Sequence, residues 1–139
     1  MPPTFRSGKN AYLTITSATG GVINYSSGVD SASLERSVNA PDVTTFGDSD
    51  HNRLPGGLRD FTLSFSGHFA STYEEKLSAA LGHTTTLSWV FGPESTSNTR
   101  RKLSGSGVLT GFTIGAEVDD KVSMSGTLAG SGSVTSTTF

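Results

Sequence analysis

The segment Asp42–Gly67, DVTTFGDSDHNRLPGGLRDFTLSFSG, decides how this chain folds. Two strand-like runs, Val43–Phe46 and Leu58–Gly67, flank a polar stretch that suits neither strand nor helix. From Phe61 onward, apolar residues occupy every second position, which is the period of a sheet with one buried face. Hairpin loops usually have about two to five residues, and much longer ones in a compact domain are usually binding loops or disordered. The loop 47–57 is therefore predicted to hold a binding partner.

The composition excludes several classes of protein. Of the 139 residues, 33% are hydrophobic and 16% are charged, while Ser and Thr total 41. This content favours many short, half-buried strands over a disordered polyelectrolyte. A net charge of −2 gives no sign of general nucleic-acid affinity, and the absence of cysteine removes disulfides and thiolate chemistry. No apolar run is long enough to span a bilayer.

The sequence pattern predicts one mainly β domain over residues 11–134, preceded by an N-terminal arm (1–10) and followed by a C-terminal tail (135–139). Strands are expected at 11–17, 22–25, 31–38, 84–91, 102–117 and 121–134, besides the two flanking the loop. The apolar positions expected to face the core in the last two strands are Val108, Phe112, Ile114, Val122, Met124 and Leu128.

One amphipathic helix is expected at 71–81. Ser71 or Thr72 is expected to cap it, and Gly82 to end it. The fold class that follows is an antiparallel β-sandwich or barrel with one flanking α-helix.

The sequence carries no pattern typical of a catalytic or metal site. Asp48, Asp50 and Asn52 resemble the start of a calcium-binding EF-hand loop, but Arg53 and Arg59 stand where that loop needs Gly and Glu. The three histidines show no metal-ligand spacing, and no serine sits in a nucleophile elbow. We therefore expect no enzyme activity, no metal and no cofactor.

Several motifs in their order along the chain resemble one family. Four segments in this order carry the resemblance: VTTFGD, the end of the loop LPGGLRD, the strand FTLSFSG and the closing hairpin GVLTGFTIGAEVDDKVSMSGTLAGSGSV. With them the chain resembles phage major tail proteins, the tail tube subunits of long-tailed phages. The lone helix before the Trp89 strand also stands where that family places its helix. The resemblance extends from about Ala11 to Val134.

The resemblance implies a structural protein of the virion, made in the host cytoplasm. Six copies would form a ring, and rings would stack into a tube through which DNA passes without specific binding. The implied partners are other copies of the chain and further tail proteins, namely the tape measure, terminator and distal tail proteins. A lumen of this kind should avoid clustered Lys and Arg, whose phosphate contacts would trap DNA.

We predict that the loop contacts a neighbouring subunit, with Leu54 as an apolar anchor and Arg53 or Arg59 pairing with the neighbour's acids. The turn at 118–120 is a second candidate contact, although an acidic turn between strands is more often simply solvated. The full set of predicted interface residues is Phe46, Asp48, Asp50, Arg53, Leu54, Pro55, Arg59, Asp119 and Asp120.

The alternative function is a surface-displayed β-sandwich that binds a ligand such as a carbohydrate. It would need a platform of exposed aromatic rings, whereas Trp89, Tyr12, Tyr25 and Tyr73 are better interpreted as core residues.

Overall fold

The computed structural model describes residues 6–16, 22–26, 28–81 and 86–139. A short 3-10 turn, Gly8–Asn10, precedes the first strand, and one helix, α1 (Ser71–Ala80), connects the fourth strand to the fifth. The strands are β1 Tyr12–Thr16, β2 Val22–Asn24, β3 Val29–Val38, β4 Arg59–His68, β5 Leu87–Gly92, β6 Arg101–Gly115 and β7 Ser123–Thr138. They form one antiparallel sheet in the order β2-β1-β5-β6-β7-β4-β3.

The sheet curls until its two halves face each other. Trp89 on β5 and Phe61 on β4 lie three strand spacings apart in the sheet order, which would be about 14 Å in a flat sheet. Their ring centroids are only 5.4 Å apart. The edge strands β2 and β3 are also consecutive in the chain, joined by residues 25–28 alone. The fold is therefore a strongly curled sheet close to a closed barrel.

The core lies inside this curl, with α1 packed against it. Leu77 and Ala80 are the buried residues of the helix, and the Tyr73 hydroxyl donates to the carbonyl of Asn24 at 3.2 Å. The Tyr25 ring contacts those of Phe65 and Tyr73 in tilted geometry, with centroid distances of 5.4 and 4.7 Å. Burial, and secondarily the adjacent Tyr73, raises the pKa of the Tyr25 phenol. The buried apolar residues are Leu13, Ile15, Tyr25, Phe61, Leu63, Phe65, Leu77, Ala80, Leu87, Trp89, Phe91, Leu109, Met124 and Leu128.

Most predicted elements are present, within a few residues of their expected ends, but four expectations were wrong. Val43–Phe46 is not a strand, because its groups bond within the β3–β4 connection instead: the Thr45 amide and hydroxyl donate to Asp48, and the Thr44 hydroxyl accepts from the Asn52 amide. The helix has Ala70 at its N-cap position, without a side-chain hydrogen bond from Ser71 or Thr72.

The other two corrections concern the last hairpin. Val108 is exposed and Leu109 is buried, because a register shift between Leu109 and Gly111 in the β6–β7 pairing exchanges their faces. Ile114 and Val122 are also exposed, since they lie at the end of β6 and just before β7, beside the turn. β7 continues to Thr138, so residues 135–138 are strand and not a separate tail. Residues 1–5 of the expected N-terminal arm, and Gly82 at the helix end, lie outside the described residues.

Candidate assembly surfaces

The connection between β3 and β4, residues 39–58, forms a hydrogen-bonded ribbon that we call the hairpin arm. The amide of Asn39 donates to the carbonyl of Leu58 at 2.9 Å, which continues the β3–β4 register beyond the pair Val38–Arg59. Further out, Leu54 donates to Pro41 and Val43 donates to Asn52, both at 2.8 Å. The arm is therefore longer than the predicted loop 47–57, and it is built as an extension of the β3–β4 hairpin.

The Pro55-Gly56-Gly57 segment absorbs a two-residue offset between the base of the arm and its outer part. Gly56 has a φ of +81°, a conformation that favours glycine. A Cβ atom added to Gly57 would lie 1.6 Å from the carbonyl oxygen of Asn39. The backbone at Asn39 therefore passes too close to Gly57 for any residue with a side chain at position 57.

Gly57→Ala is expected to separate the two sides of the arm at its base. The clash is with backbone and cannot be relieved by a rotamer change, so the strain should cost on the order of 1–3 kcal/mol. Hydrogen exchange at Asn39 and Leu54 should accelerate about tenfold or more. Gly47→Ala is the matched control, because a Cβ there meets nothing within 4 Å. Equal exchange in the two variants would contradict this account.

Two carboxylates hold the outer arm together. Asp42 accepts from the amide of Thr44 at 2.9 Å and from the Thr44 hydroxyl. Asp48 accepts from the amide of Thr45 and from the side chain of Asn52, both at 2.8 Å. The Thr44 hydroxyl and amide lower the pKa of Asp42, and the Thr45 amide and then Asn52 lower that of Asp48. These two carboxylates therefore stabilise the structure of the arm.

The arm is expected to loosen in acid. Because the pKa values of Asp42 and Asp48 are lowered in the folded arm, these carboxylates take up protons at a higher pH in the unfolded arm than in the folded one. Their stabilising contribution is complete above the unfolded value of about 3.9 and is lost as pH falls through the lowered native values. The amide NMR shifts of Thr44 and Thr45 should therefore move towards random-coil positions below about pH 4. A double Asp42→Asn, Asp48→Asn variant should lose this titration, and its persistence would refute the assignment.

The predicted interface residues of the arm are spread along its exposed surface. Phe46 is fully exposed near the tip, and Leu54 is 52% exposed. Asp50 and Pro55 are also exposed. Arg53 and Arg59 face solvent at the outer part and the base, and no ion pair involves either of them within the described chain. The structure leaves these side chains available for contact, whereas Asp48 is occupied by the arm itself.

The second predicted contact lies at the opposite end of the sheet, in the β6–β7 turn, residues 116–122. Val118 is fully exposed, and Asp119 and Asp120 are exposed beside it. The Lys121 ammonium lies 3.2 Å from the carboxylate of Asp30, so its charge is compensated locally. The turn therefore presents an apolar side chain surrounded by uncompensated acids.

The outer face of β6-β7-β4-β3 is covered by small hydroxyl residues. Register places them in rows that cross all four strands, on the side opposite the buried Leu63, Phe65, Met124 and Leu128. Glu35 and Asp60 stand towards the arm end of this face, and no Lys or Arg occupies its rows. We call it the hydroxyl face, and its rows contain Ser31, Ser33, Thr62, Ser64, Ser66, Thr113, Ser125 and Thr127.

These four strands also have two open edges. Among the strands that the structure describes, β3 has no partner on its outer side. β6 pairs with β5 only from Leu103 to Gly107, so residues 111–115 of β6 lack a described partner on that side. Sequence reasoning could not find these edges or the hydroxyl face, because both depend on which strands pair. The only sequence signal was the excess of Ser and Thr.

A groove of about 500 Å³ opens at the base of the hairpin arm. It forms because β4 pairs with β7 only as far as Thr62 and Ala129, and a bulge at Gly132, whose φ is +87°, turns β7 away. We call it the base groove, and its lining includes Arg36, Val38, Arg59, Phe61 and Val134.

The described residues contain no cluster of three or more His, Asp or Glu side chains that could hold a metal ion. His83, one of the three histidines of the chain, lies outside them. No helix within the described ranges is long and apolar enough to cross a membrane.

Solved structures define the class of this fold. The chain is similar to the tail of an empty gene transfer agent particle with C6 symmetry, at a TM-score of 0.80 and 15% identity over 96% of this chain and 99% of that one. It is similar to the SPP1 tail tube, at a TM-score of 0.76 and 10% identity over 97% and 80%. It is also similar to a chain of the anti-feeding prophage baseplate, at a TM-score of 0.73 and 9% identity over 99% of this chain and 97% of that one. The architecture is thus that of a tail tube fold.

Residues 6–136 match the family model of phage tail tube proteins. The chain belongs to this family and is a structural subunit of the tail tube of a virion. No curated protein sequence matches it significantly.

Proposed function

We propose that six copies of this chain close into a ring and that the rings stack into a tube with the hydroxyl face lining the channel. The observation that carries this proposal is the four-stranded half-sheet β6-β7-β4-β3, with open edges on both sides and a face rich in small hydroxyl side chains and without Lys or Arg. The ring number follows the C6 symmetry of the similar gene transfer agent tail.

The strand directions permit ring closure without a mismatch. Neighbours in the four-stranded unit are antiparallel, so β3 and β6 run in opposite directions. β3 of one subunit can therefore pair antiparallel with the 111–115 edge of β6 in the next. Such head-to-tail contact closes a ring and removes both exposed edges, which otherwise favour uncontrolled aggregation.

The resulting cylinder is wide enough for a DNA duplex. Four strands from each of six subunits give 24 strands. With a strand spacing of about 4.8 Å and a tilt of about 40°, the backbone cylinder would be about 48 Å across. A lining of Ser and Thr without Lys or Arg offers no charge-assisted contact to phosphate, so DNA can slide. The conduit for DNA ejection is therefore assigned to this face.

The partners follow from this assembly. Copies of the same chain occupy both lateral edges and both axial ends, and the terminal rings meet the tape measure, terminator and distal tail proteins expected from the family. The alternative function, a ligand-binding β-sandwich, is disfavoured because Trp89 and Tyr25 are fully buried and form no exposed platform. Nothing in the described residues suggests catalysis, and the proposed role is non-enzymatic.

Electron microscopy of the purified protein tests the proposal. Negatively stained samples should show rings or tubes roughly 100 Å across, the scale of six domains of this size. Averages of end-on views should show sixfold symmetry and a stain-filled channel. A protein that stays monomeric at high concentration would contradict the proposal and favour the binding module.

A further inference from the structure

The hairpin arm and the β6–β7 turn lie at opposite ends of the four-stranded unit. β4 begins at Arg59 beside the arm, and its last residue, His68, pairs with Ser123, the first residue of β7 after the turn. Ten residues of strand separate the two ends, which is about 30 Å. In a stack of rings with one polarity, the turn end of one ring faces the arm end of the next.

The base groove at the arm end is positively charged and partly apolar. Arg36 and Arg59 line it, with no ion-pair partner among the described residues, and Asp60 is its one acidic lining residue. Val38 and the partly buried Val134 contribute apolar surface, and Gly56 and Gly57 leave the wall beside the arm free of side chains. A groove of this kind suits an apolar side chain flanked by carboxylates.

The β6–β7 turn has the complementary character. Val118 is 101% exposed, so seating this side chain in a groove would remove its apolar surface from water. Glu117, Asp119 and Asp120 surround it, while Lys121 is compensated by Asp30. The chain reverses at the tip over residues 117–120, where the Asp120 amide donates to the Glu117 carbonyl at 3.4 Å, so the tip is small beside a groove of about 500 Å³.

We propose that the β6–β7 turn of one subunit inserts into the base groove of a subunit in the adjacent ring, with Val118 in the groove and its acids paired with Arg36 and Arg59. The occupant of the groove is thus a second copy of this chain. The contact is heterologous, because each copy offers a turn at one end and a groove at the other, and such contacts propagate into an open filament. This inference rests on the proposed tube, and it adds the element that fixes the polarity and register of stacking.

A charge-swap experiment on the full-length protein tests the contact. Asp119→Lys with Asp120→Lys should leave rings intact and reduce stacking into tubes at least tenfold, and Arg36→Glu with Arg59→Glu should do the same. The four substitutions together should restore tubes, since the opposite charges meet again with their signs exchanged. Electron microscopy and sedimentation velocity distinguish single rings from tubes.

The controls separate failure of this inference from failure of the proposed function. Glu75→Lys and Lys76→Glu change exposed charges on α1 and should leave tube yield unchanged. If the unaltered protein forms no rings or tubes, the proposed function fails. If it forms tubes and the turn variants form equal tubes, or if the combined variant is not restored, only the insertion is refuted.

Cross-linking provides a second measurement that does not depend on charge. The chain has no cysteine, so Val118→Cys with Val38→Cys gives two defined thiols per subunit. A short bis-maleimide should join them between subunits of assembled tubes into a ladder of dimers, trimers and longer chains on a denaturing gel. Val118→Cys with Lys76→Cys is the matched pair. A ladder no stronger than that of this pair would overturn the proposal.

Discussion

Replacing Ala32 by proline should abolish ring formation and leave a folded monomer. Asn39 donates to Leu58, so in the continuous β3–β4 register the odd-numbered residues of β3 bond to β4. The amides of the even-numbered residues, including Ala32, therefore point to the open edge. Proline at 32 removes one donor from that edge without breaking a bond inside the subunit, a position where proline is tolerated in strands.

The expected effect on assembly is large because ring closure repeats the same edge contact at every interface. At each junction the proline removes one backbone hydrogen bond, and its pyrrolidine group clashes with the neighbouring strand. The carbonyl that has lost its donor stays unpaired between subunits, which costs about 1–3 kcal/mol per junction. Six interfaces multiply this cost, given the C6 symmetry of the similar tail. Sedimentation should show monomer at concentrations where the parent protein assembles.

Ala32→Ser is the matched control for this prediction. It changes the same partly buried side chain and keeps the amide donor, so it should assemble like the parent protein. Thermal unfolding of the proline variant should stay within a few degrees of the serine variant. Rings of normal yield from Ala32→Pro would show that the β3 edge is not the ring interface.

The sequence predicted the strands wherever a strict two-residue period coincided with burial. Leu63 and Phe65 on β4 alternate with Thr and Ser, and both are buried. The helix was also predictable, because Leu77 and Ala80 stand at helical spacing and both pack inward. Its capping was not, since Ser71 and Thr72 are present but the chain enters the helix through Ala70.

Errors arose where side chains or register shifts override the local pattern. The alternating run at 43–46 satisfies a strand pattern, yet Thr44 and Thr45 bond to the carboxylates of Asp42 and Asp48, a common competitor of strand pairing. In β6, a register shift between Leu109 and Gly111 reverses the faces. Only Gly111 hints at such a shift, and many glycines in this chain do not mark one.

The candidate site was predictable in part. The oversized loop and the acidic turn were visible as exposed polar segments, and both prove to be exposed projections at opposite ends of the sheet. The base groove could not be foreseen, because Arg36, Phe61 and Val134 meet only after three strands have paired. The hydroxyl face also depends on the order in which the strands pair. The composition indicated only the excess of Ser and Thr, and not that these residues share one face.

Replacing Thr127 by lysine should turn the channel into a trap for DNA. Thr127 lies in the middle of the hydroxyl face, between Ser64 on β4 and Gly111 on β6. One substitution adds six positive charges to each ring of a C6 tube, and stacked rings align them along the channel. Each phosphate neutralised steepens the salt dependence of DNA affinity by about 0.9 in logarithmic slope. Purified tubes of the variant should therefore retain short labelled duplexes at low salt and release them steeply as salt rises.

Two variants decide whether this effect comes from the channel. Thr127→Gln introduces a side chain of about the size of lysine without its charge. Tubes of this variant should not retain the duplex, and neither should tubes of the parent protein. Ala79→Lys places the same charge on the exposed surface of α1, so the duplex it binds should be open to nuclease, while duplex held by Thr127→Lys tubes should be protected. Protection is the decisive quantity, because an outer surface cannot shield DNA along its length. Tubes of Thr127→Lys that bind no more DNA than Thr127→Gln, or bind it without protection, would place the hydroxyl face outside the channel.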